Sequence, residues 1–222
     1  MLNYERFENG QGGPFLYLIG GDREEGARIF DLLLEQTSGP FRLIAVSVPD
    51  WDDCLSPWPA QPVFGKNAFG GHAGQTLDIL VNELLPACEK GTPIPFRMIG
   101  GYSLAGLFSL WAFYETSLFD SVAACSASLW YPGWEEYARS RQPEAGKHLY
   151  LSLGKREPLT RNAALARVGD AMLAQEKIAQ KQGLTVTLQW HEGGHFQEPD
   201  KRIALGFAEL LYNWQISADF VF

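Results

Sequence analysis

The sequence predicts an α/β fold, a mostly parallel and doubly wound sheet with helices on both faces and no large cap domain. Three observations carry that reading. Short apolar runs alternate with longer segments whose apolar residues recur every three or four positions, the pattern of strands connected by helices. Glycine and proline punctuate most of the junctions. The chain of 222 residues is long enough for one such domain, residues 1–222, to bury a large core.

The elements follow in order. Phe15 to Ile19 is a short apolar run closed by Gly20 and Gly21. A helix is expected from about Arg23 to Glu35, with Ile29, Phe30, Leu33 and Leu34 as its inner face. Phe41 to Val48 reads as a second buried strand, whereas Met1 to Gly13 is polar and glycine-rich and suggests no element. From Asp50 to Ala73 the chain reads as a long loop carrying Trp51, Trp58, Phe64 and Phe69. Leu77, Leu80, Val81, Leu84, Leu85 and Cys88 then recur at helical spacing, and Pro93 and Pro95 break the pattern before the strand that contains Met98 and Ile99. A further helix runs to about Tyr114. Ser121 to Ser126 and His148 to Leu153 are strands, separated by a polar segment with Trp130, Trp134 and Tyr137. Pro158 to Gln182 is mostly helical, Leu184 to Trp190 is a strand, and Pro199 to Trp214 is the closing helix.

Composition narrows the function. Apolar residues make up 46% and charged residues 20%, which excludes a disordered chain, and no apolar run reaches membrane-spanning length. The start lacks the basic-then-apolar pattern of a secretory signal, so a cytoplasmic protein is expected. Cys54, Cys88 and Cys125 are widely spaced, which argues against a disulfide framework and against a metal site. A net charge of −8 without a Lys/Arg cluster argues against nucleic acid.

The chemistry enters at Gly101-Tyr102-Ser103-Leu104-Ala105-Gly106, a serine between small residues where a strand feeds a helix. A sharp turn of that kind lifts the hydroxyl clear of the backbone, and the small neighbours are needed because strand and helix pass close together. Ala105 stands where glycine is usual. A serine hydroxyl is a poor nucleophile at neutral pH and needs a base supported by a third group. His195 follows the last strand in Glu192-Gly193-Gly194-His195-Phe196, and Glu157 follows the preceding strand in Gly154-Lys155-Arg156-Glu157. Serine, acid and histidine thus stand in that order on three strand ends, where sheets of this class place their sites.

Competing residues are poorer candidates. His191 sits at a strand end beside a tryptophan, His72 precedes a helix and His148 starts a strand. Asp170 falls inside a helix and Asp200 starts one, whereas Glu157 has a strand-end loop as its platform. His191 to His195 also spells the zinc-protease pattern of two histidines four apart. That motif requires a helix, and the paired glycines and the preceding Thr-Val-Thr-Leu run oppose one.

Gly100 to Gly106, Gly154 to Glu157 with Thr160, Arg161 and Asn162, and the tail Glu192 to Arg202 together resemble the putative-esterase branch of the α/β-hydrolases. That branch includes siderophore trilactone esterases and S-formylglutathione hydrolases. The resemblance runs from Pro14 onward and implies Ser103 as nucleophile, His195 as base and Glu157 as acid. The family's common Gly-Asp-Lys-Glu is Gly154-Lys155-Arg156-Glu157 here, which keeps the glutamate and changes the charge around it. The oxyanion formed on attack needs backbone N–H donors, one from Leu104 and one from Gly21 or Asp22. Trp130 and Tyr131 are candidate substrate-binding residues, the long loop is a candidate lid or binding surface, and packing in the core is the expected role for most of these aromatics.

The expected activity is therefore hydrolysis of small to medium carboxylic esters or thioesters, with no cofactor and no metal. The expected partner is a small-molecule ester, with neither nucleic acid nor membrane, and a homo-oligomer is left open. An acyltransferase with the same triad and a binding protein on a retired hydrolase fold are the rival readings; retention of serine, acid and histidine disfavours the second.

Overall fold

Parallel strands need crossover connections, and this chain supplies them with helices on alternate faces of one sheet. The computed structural model describes residues 2–63, 65–93 and 96–219, so the expectations placed on Phe64 and Pro95 lie outside the described residues. The strands are β1 (Asn3–Glu8), β2 (Phe15–Ile19), β3 (Arg42–Ser47), β4 (Arg97–Tyr102), β5 (Ser121–Cys125), β6 (His148–Gly154) and β7 (Thr185–His191). They form a seven-stranded sheet in the order β1-β3-β2-β4-β5-β6-β7, parallel throughout except for β1, which runs antiparallel to β3. This is an α/β-hydrolase fold.

Strand β1 departs from the expectation for the first thirteen residues. It lies at the sheet edge, pairing Asn3 with Ser47 through to Glu8 with Arg42, and its residues are exposed or half-buried. An edge strand of this kind is held by hydrogen bonds on one side rather than by burial on two faces, so it leaves no apolar run to read. The central strands behave in the opposite way. Phe15, Tyr17 and Ile19 of β2 point into one core and Leu16 and Leu18 into the other.

Those two cores are the two helical layers. On one face lie α1 (Arg23–Gln36) and α9 (Pro199–Asp219), where Ile29 and Leu33 meet Ile203, Phe207 and Leu211. Asp22 caps α1 by accepting a hydrogen bond from the Glu25 N–H at 2.9 Å. Leu34, expected on the inner face, is exposed; the buried stripe is Gly26, Ile29 and Leu33, at three- and four-residue spacing. The other face carries α5 (Leu104–Glu115), which is buried from Leu104 to Tyr114.

The remaining helices are α2 (Trp51–Cys54), α3 (Ala73–Ile79), α4 (Leu85–Glu89), α6 (Trp134–Ser140), α7 (Ala163–Ala166) and α8 (Val168–Lys181). Between α3 and α4 the residues Leu80–Leu84 form a π-helical turn, in which the Leu85 N–H donates to the Leu80 carbonyl. Pro86 explains the widening. It has no N–H to give, and its ring would collide with the Asn82 carbonyl in a regular α-helix.

Helix α6 occupies the segment expected to be merely polar. It forms around Trp134, which is 2% exposed and donates from Nε1 to Gln175 Oε1 of α8 at 3.0 Å. Gln175 in turn donates to the Tyr114 hydroxyl, and that hydroxyl to Gln182 Oε1, both at 2.9 Å. Replacing Trp134 with alanine removes a large buried ring and leaves the Gln175 carbonyl unpaired. A loss of about 3–5 kcal/mol is expected in urea unfolding, with the midpoint shifted at constant slope.

Candidate active site

Strand order reverses beside β2, because β3 lies on one side of it and β4 on the other. Such a switch point opens a crevice at the carboxyl ends of the strands. The turn after β2 and the turn after β4 both meet it. Ser103 stands between β4 and α5 with φ 57° and ψ −119°, a left-handed conformation that a side chain rarely adopts. The small residues around it have a measurable reason. A Cβ on Gly101 would lie 2.8 Å from the Ala105 carbonyl carbon, and a Cβ on Gly20 would lie 2.5 Å from the Trp51 ring and 3.2 Å from the Ala105 methyl. Ala105 is tolerated where glycine is usual because Gly20, itself at φ 81°, leaves the space.

Three loops bring the expected residues together. His195 Nε2 lies 3.1 Å from Ser103 Oγ, and its Nδ1 lies 2.8 Å from Glu157 Oε2. An imidazole held in this way, with one nitrogen on a hydroxyl and the other donating to a carboxylate, can take up the hydroxyl proton. Glu157 begins a 3₁₀ turn, Glu157–Leu159, and is buried. Its second oxygen, Oε1, accepts from the Ser126 hydroxyl at 2.7 Å, the Gly154 N–H at 2.8 Å and Arg202 Nη1 at 3.0 Å. Burial alone would raise its pKa. The hydrogen bonds from His195, Gly154 and Ser126 outweigh that effect and hold the carboxyl below its ordinary value.

Leu104 provides the first N–H of α5, a position without an intrahelical acceptor, and the turn Gly20–Asp22 lies against the elbow. The other histidines are occupied elsewhere. His72 Nδ1 is 2.6 Å from Asp53, His148 Nε2 is 3.0 Å from the Thr187 hydroxyl, and His191 Nε2 is 3.5 Å from the Tyr150 hydroxyl. Burial, then the nearby Arg202 charge, lowers the His191 pKa. His191 ends β7 and His195 follows in a loop, so the two do not share a helix face. Asp170 lies in α8, and Asp200 pairs with Arg28 at 2.6 Å.

Above Ser103 and His195 opens a cavity of about 750 Å³. Trp51, Trp130, Leu159, Leu165, Val168 and Phe196 give it apolar walls, and Asp52, Arg156 and Thr160 add polar groups. Of the two expected substrate-binding residues, Trp130 lines this cavity. Tyr131 does not: it is 2% exposed, its ring packs on Trp58 and Phe69, and its hydroxyl donates to the Trp58 carbonyl at 2.6 Å. Consecutive residues point apart here, and the first of the pair took the cavity. The long loop likewise divides, with Trp51 on the short helix α2 at the cavity and Trp58 and Phe69 packed inward.

Sequence reasoning missed the residues behind the site. Arg202, Ser126 and Tyr102 link Glu157 to the histidine loop. The one signal of the kind was an arginine on the apolar closing helix.

Residues 2–202 match the family model described as putative esterase. The chain belongs to the putative-esterase family. This esterase is accordingly a carboxylic ester hydrolase. Its fold is shared by the siderophore hydrolase EstB of Aspergillus nidulans, at 17% identity over 96% of this chain and 90% of that one, with a TM-score of 0.77. It is shared by an IroE-like serine hydrolase of Shewanella oneidensis, at 20% identity over 90% and 71% of the two chains, TM-score 0.74. The enterobactin esterase FES of Shigella flexneri aligns at 18% identity and TM-score 0.70, covering 95% of this esterase and 55% of the Shigella chain. No curated protein sequence matches it. Among the described residues, no helix is long and apolar enough to cross a membrane.

The depressed Glu157 pKa has a consequence for stability. The ionised carboxylate stabilises the fold fully above the ordinary value of about 4.3, and the contribution disappears as pH falls through the lower folded value. Thermal melts of the wild type and Glu157→Gln are expected to differ most at neutral pH and to converge below pH ~4. A difference that stays constant down to pH ~3 would contradict the assignment.

Proposed function

We propose that this esterase cleaves small to medium carboxylic esters, thioesters included, through an acyl-enzyme on Ser103. The observation that carries the reading is the continuous hydrogen-bonded chain from Ser103 Oγ through His195 to Glu157 at the floor of the cavity. His195 takes the Ser103 proton as Oγ attacks the ester carbonyl, then gives it to the departing alcohol or thiol. Water, deprotonated by His195, attacks the acyl-enzyme in the second half and releases the acid and the free serine. Glu157 keeps Nδ1 of the imidazole protonated and supports the imidazolium. The oxyanion of each half is met by the Leu104 N–H and by an N–H of the Gly21–Asp22 turn. Trp130 and Trp51 face the substrate. A volume of about 750 Å³ suits a ligand of drug-like size, since such pockets span about 300–1,000 Å³.

Treatment with a fluorophosphonate probe should add one adduct by intact mass, located on Ser103 and missing in Ser103→Ala. Persistent labelling of the variant would remove Ser103 as nucleophile. Product analysis in the same assay should show the free acid as the main product even with added alcohol acceptors.

Glu157→Gln keeps the shape of the acid but removes its charge and favours the wrong imidazole tautomer. Turnover is expected to fall by roughly two to four orders of magnitude. Asp170→Asn and Asp200→Asn, which change carboxylates away from His195, should retain it. Collapse of either control with Glu157→Gln near wild type would reassign the acid.

A further inference from the structure

We propose that Arg202 is a positioning residue for this reaction, one guanidinium that holds His195 in register with Ser103 from two directions. The inference rests on the hydrolase reading above. Arg202 lies in the first turns of α9 and is 2% exposed. Its Nη1 is 3.0 Å from Glu157 Oε1, 3.0 Å from the Tyr102 hydroxyl and 3.2 Å from Ser126 Oγ. Its Nη2 donates to the carbonyls of Glu192 and Gly194, both at 3.0 Å.

These contacts reach the histidine by separate routes. Through Glu157, Arg202 occupies Oε1 together with Ser126 and Gly154, which leaves Oε2 to face Nδ1 of the imidazole. Through Tyr102, whose hydroxyl donates to the His195 carbonyl at 2.6 Å, it fixes the backbone that carries the ring. Nη2 fastens the loop just before that residue. Tyr102 precedes Ser103, so the same group also ties the histidine loop to the elbow strand.

A buried ion pair seldom stabilises a fold more than a well-packed apolar pair would. The geometry explains why an arginine stands here all the same. Its planar fork serves acceptors on both Nη atoms at once, which a lysine ammonium does not reproduce. The chain makes room for it: a Cβ at Gly154 would lie 2.9 Å from Nη1. Misplacement of a catalytic group by about 1 Å can cost about a hundredfold in rate, so the restraint acts on turnover rather than on substrate affinity.

The test measures kcat, KM and their pH profiles with a p-nitrophenyl ester for Arg202→Met, Arg202→Lys, Arg202→Ala and Tyr102→Phe, alongside thermal melts. For folded Arg202→Met, kcat should fall by about 10²- to 10³-fold with KM within about threefold of wild type. Loss of the buried cation beside the hydrogen-bonded Glu157–His195 pair eases proton uptake by the pair, so the acid limb of the kcat profile should move to higher pH. Arg202→Lys should be intermediate, and millimolar guanidinium should restore part of the turnover of Arg202→Ala. If Arg202→Met fails to fold, Tyr102→Phe decides, because it deletes one hydroxyl: kcat should drop about tenfold at unchanged KM. The proposal is overturned by wild-type turnover in folded Arg202→Met, or by lost turnover with neither a moved acid limb nor guanidinium rescue. Where Arg202→Met is unfolded, wild-type turnover in Tyr102→Phe overturns it. Failure of Ser103-dependent hydrolysis in the wild type itself would instead remove the hydrolase reading.

Discussion

The backbone of Ser103 sits in a conformation that costs on the order of 1–3 kcal/mol, and much of the architecture exists to hold it there. Its N–H donates to the Cys125 carbonyl of β5 at 3.1 Å, and its carbonyl accepts from Leu107 and Ser128, both at 3.0 Å. Helix α5 continues directly from it and is buried almost to its end. The turn therefore has nowhere to relax: moving Ser103 would break hydrogen bonds on two sides and shift a helix packed in the core. Gly101 and Gly20 supply the clearance, and the consequence is a hydroxyl projected into the crevice at the switch point of the sheet.

The electrostatics of the site follow from burial. A carboxylate taken from water must recover its lost solvation from the protein, and Glu157 recovers it from four donors spread over the turn after β5, the end of β6, the histidine loop and α9. Those donors come from chain segments far apart in sequence, so the charge also binds the carboxyl ends of the strands to one another. The result is a carboxyl held below its ordinary pKa against Nδ1 of His195.

The cavity is shaped by a different logic. Its apolar walls come from three segments without regular strands: the short helix at Trp51, the loop at Trp130 and the stretch from Leu159 to Val168. Asp50 caps the first by accepting from the Asp53 N–H at 2.8 Å, and Asn162 caps α7 by accepting from Ala164 and Leu165. Local capping gives these segments fixed shapes although they lie outside the sheet. Phe196, 92% exposed beside His195, completes the mouth.

Local physics made the central strands, the long helices and the serine turn legible, because each is written in a contiguous pattern: buried apolar runs, helical spacing, small residues around one serine. The order of Ser103, Glu157 and His195 on three separate strand ends was legible for the same reason. Edge strand β1 and helix α6 were not, since the first relies on hydrogen bonds to β3 and the second on one buried indole meeting α8. Nor does sequence tell which of Trp130 and Tyr131 faces the cavity, because that depends on how the loop crosses the sheet. Tertiary structure alone placed Arg202. Its partners lie on β4, the turn after β5, the Glu157 turn and the histidine loop, and only folding brings those acceptors within reach of one guanidinium.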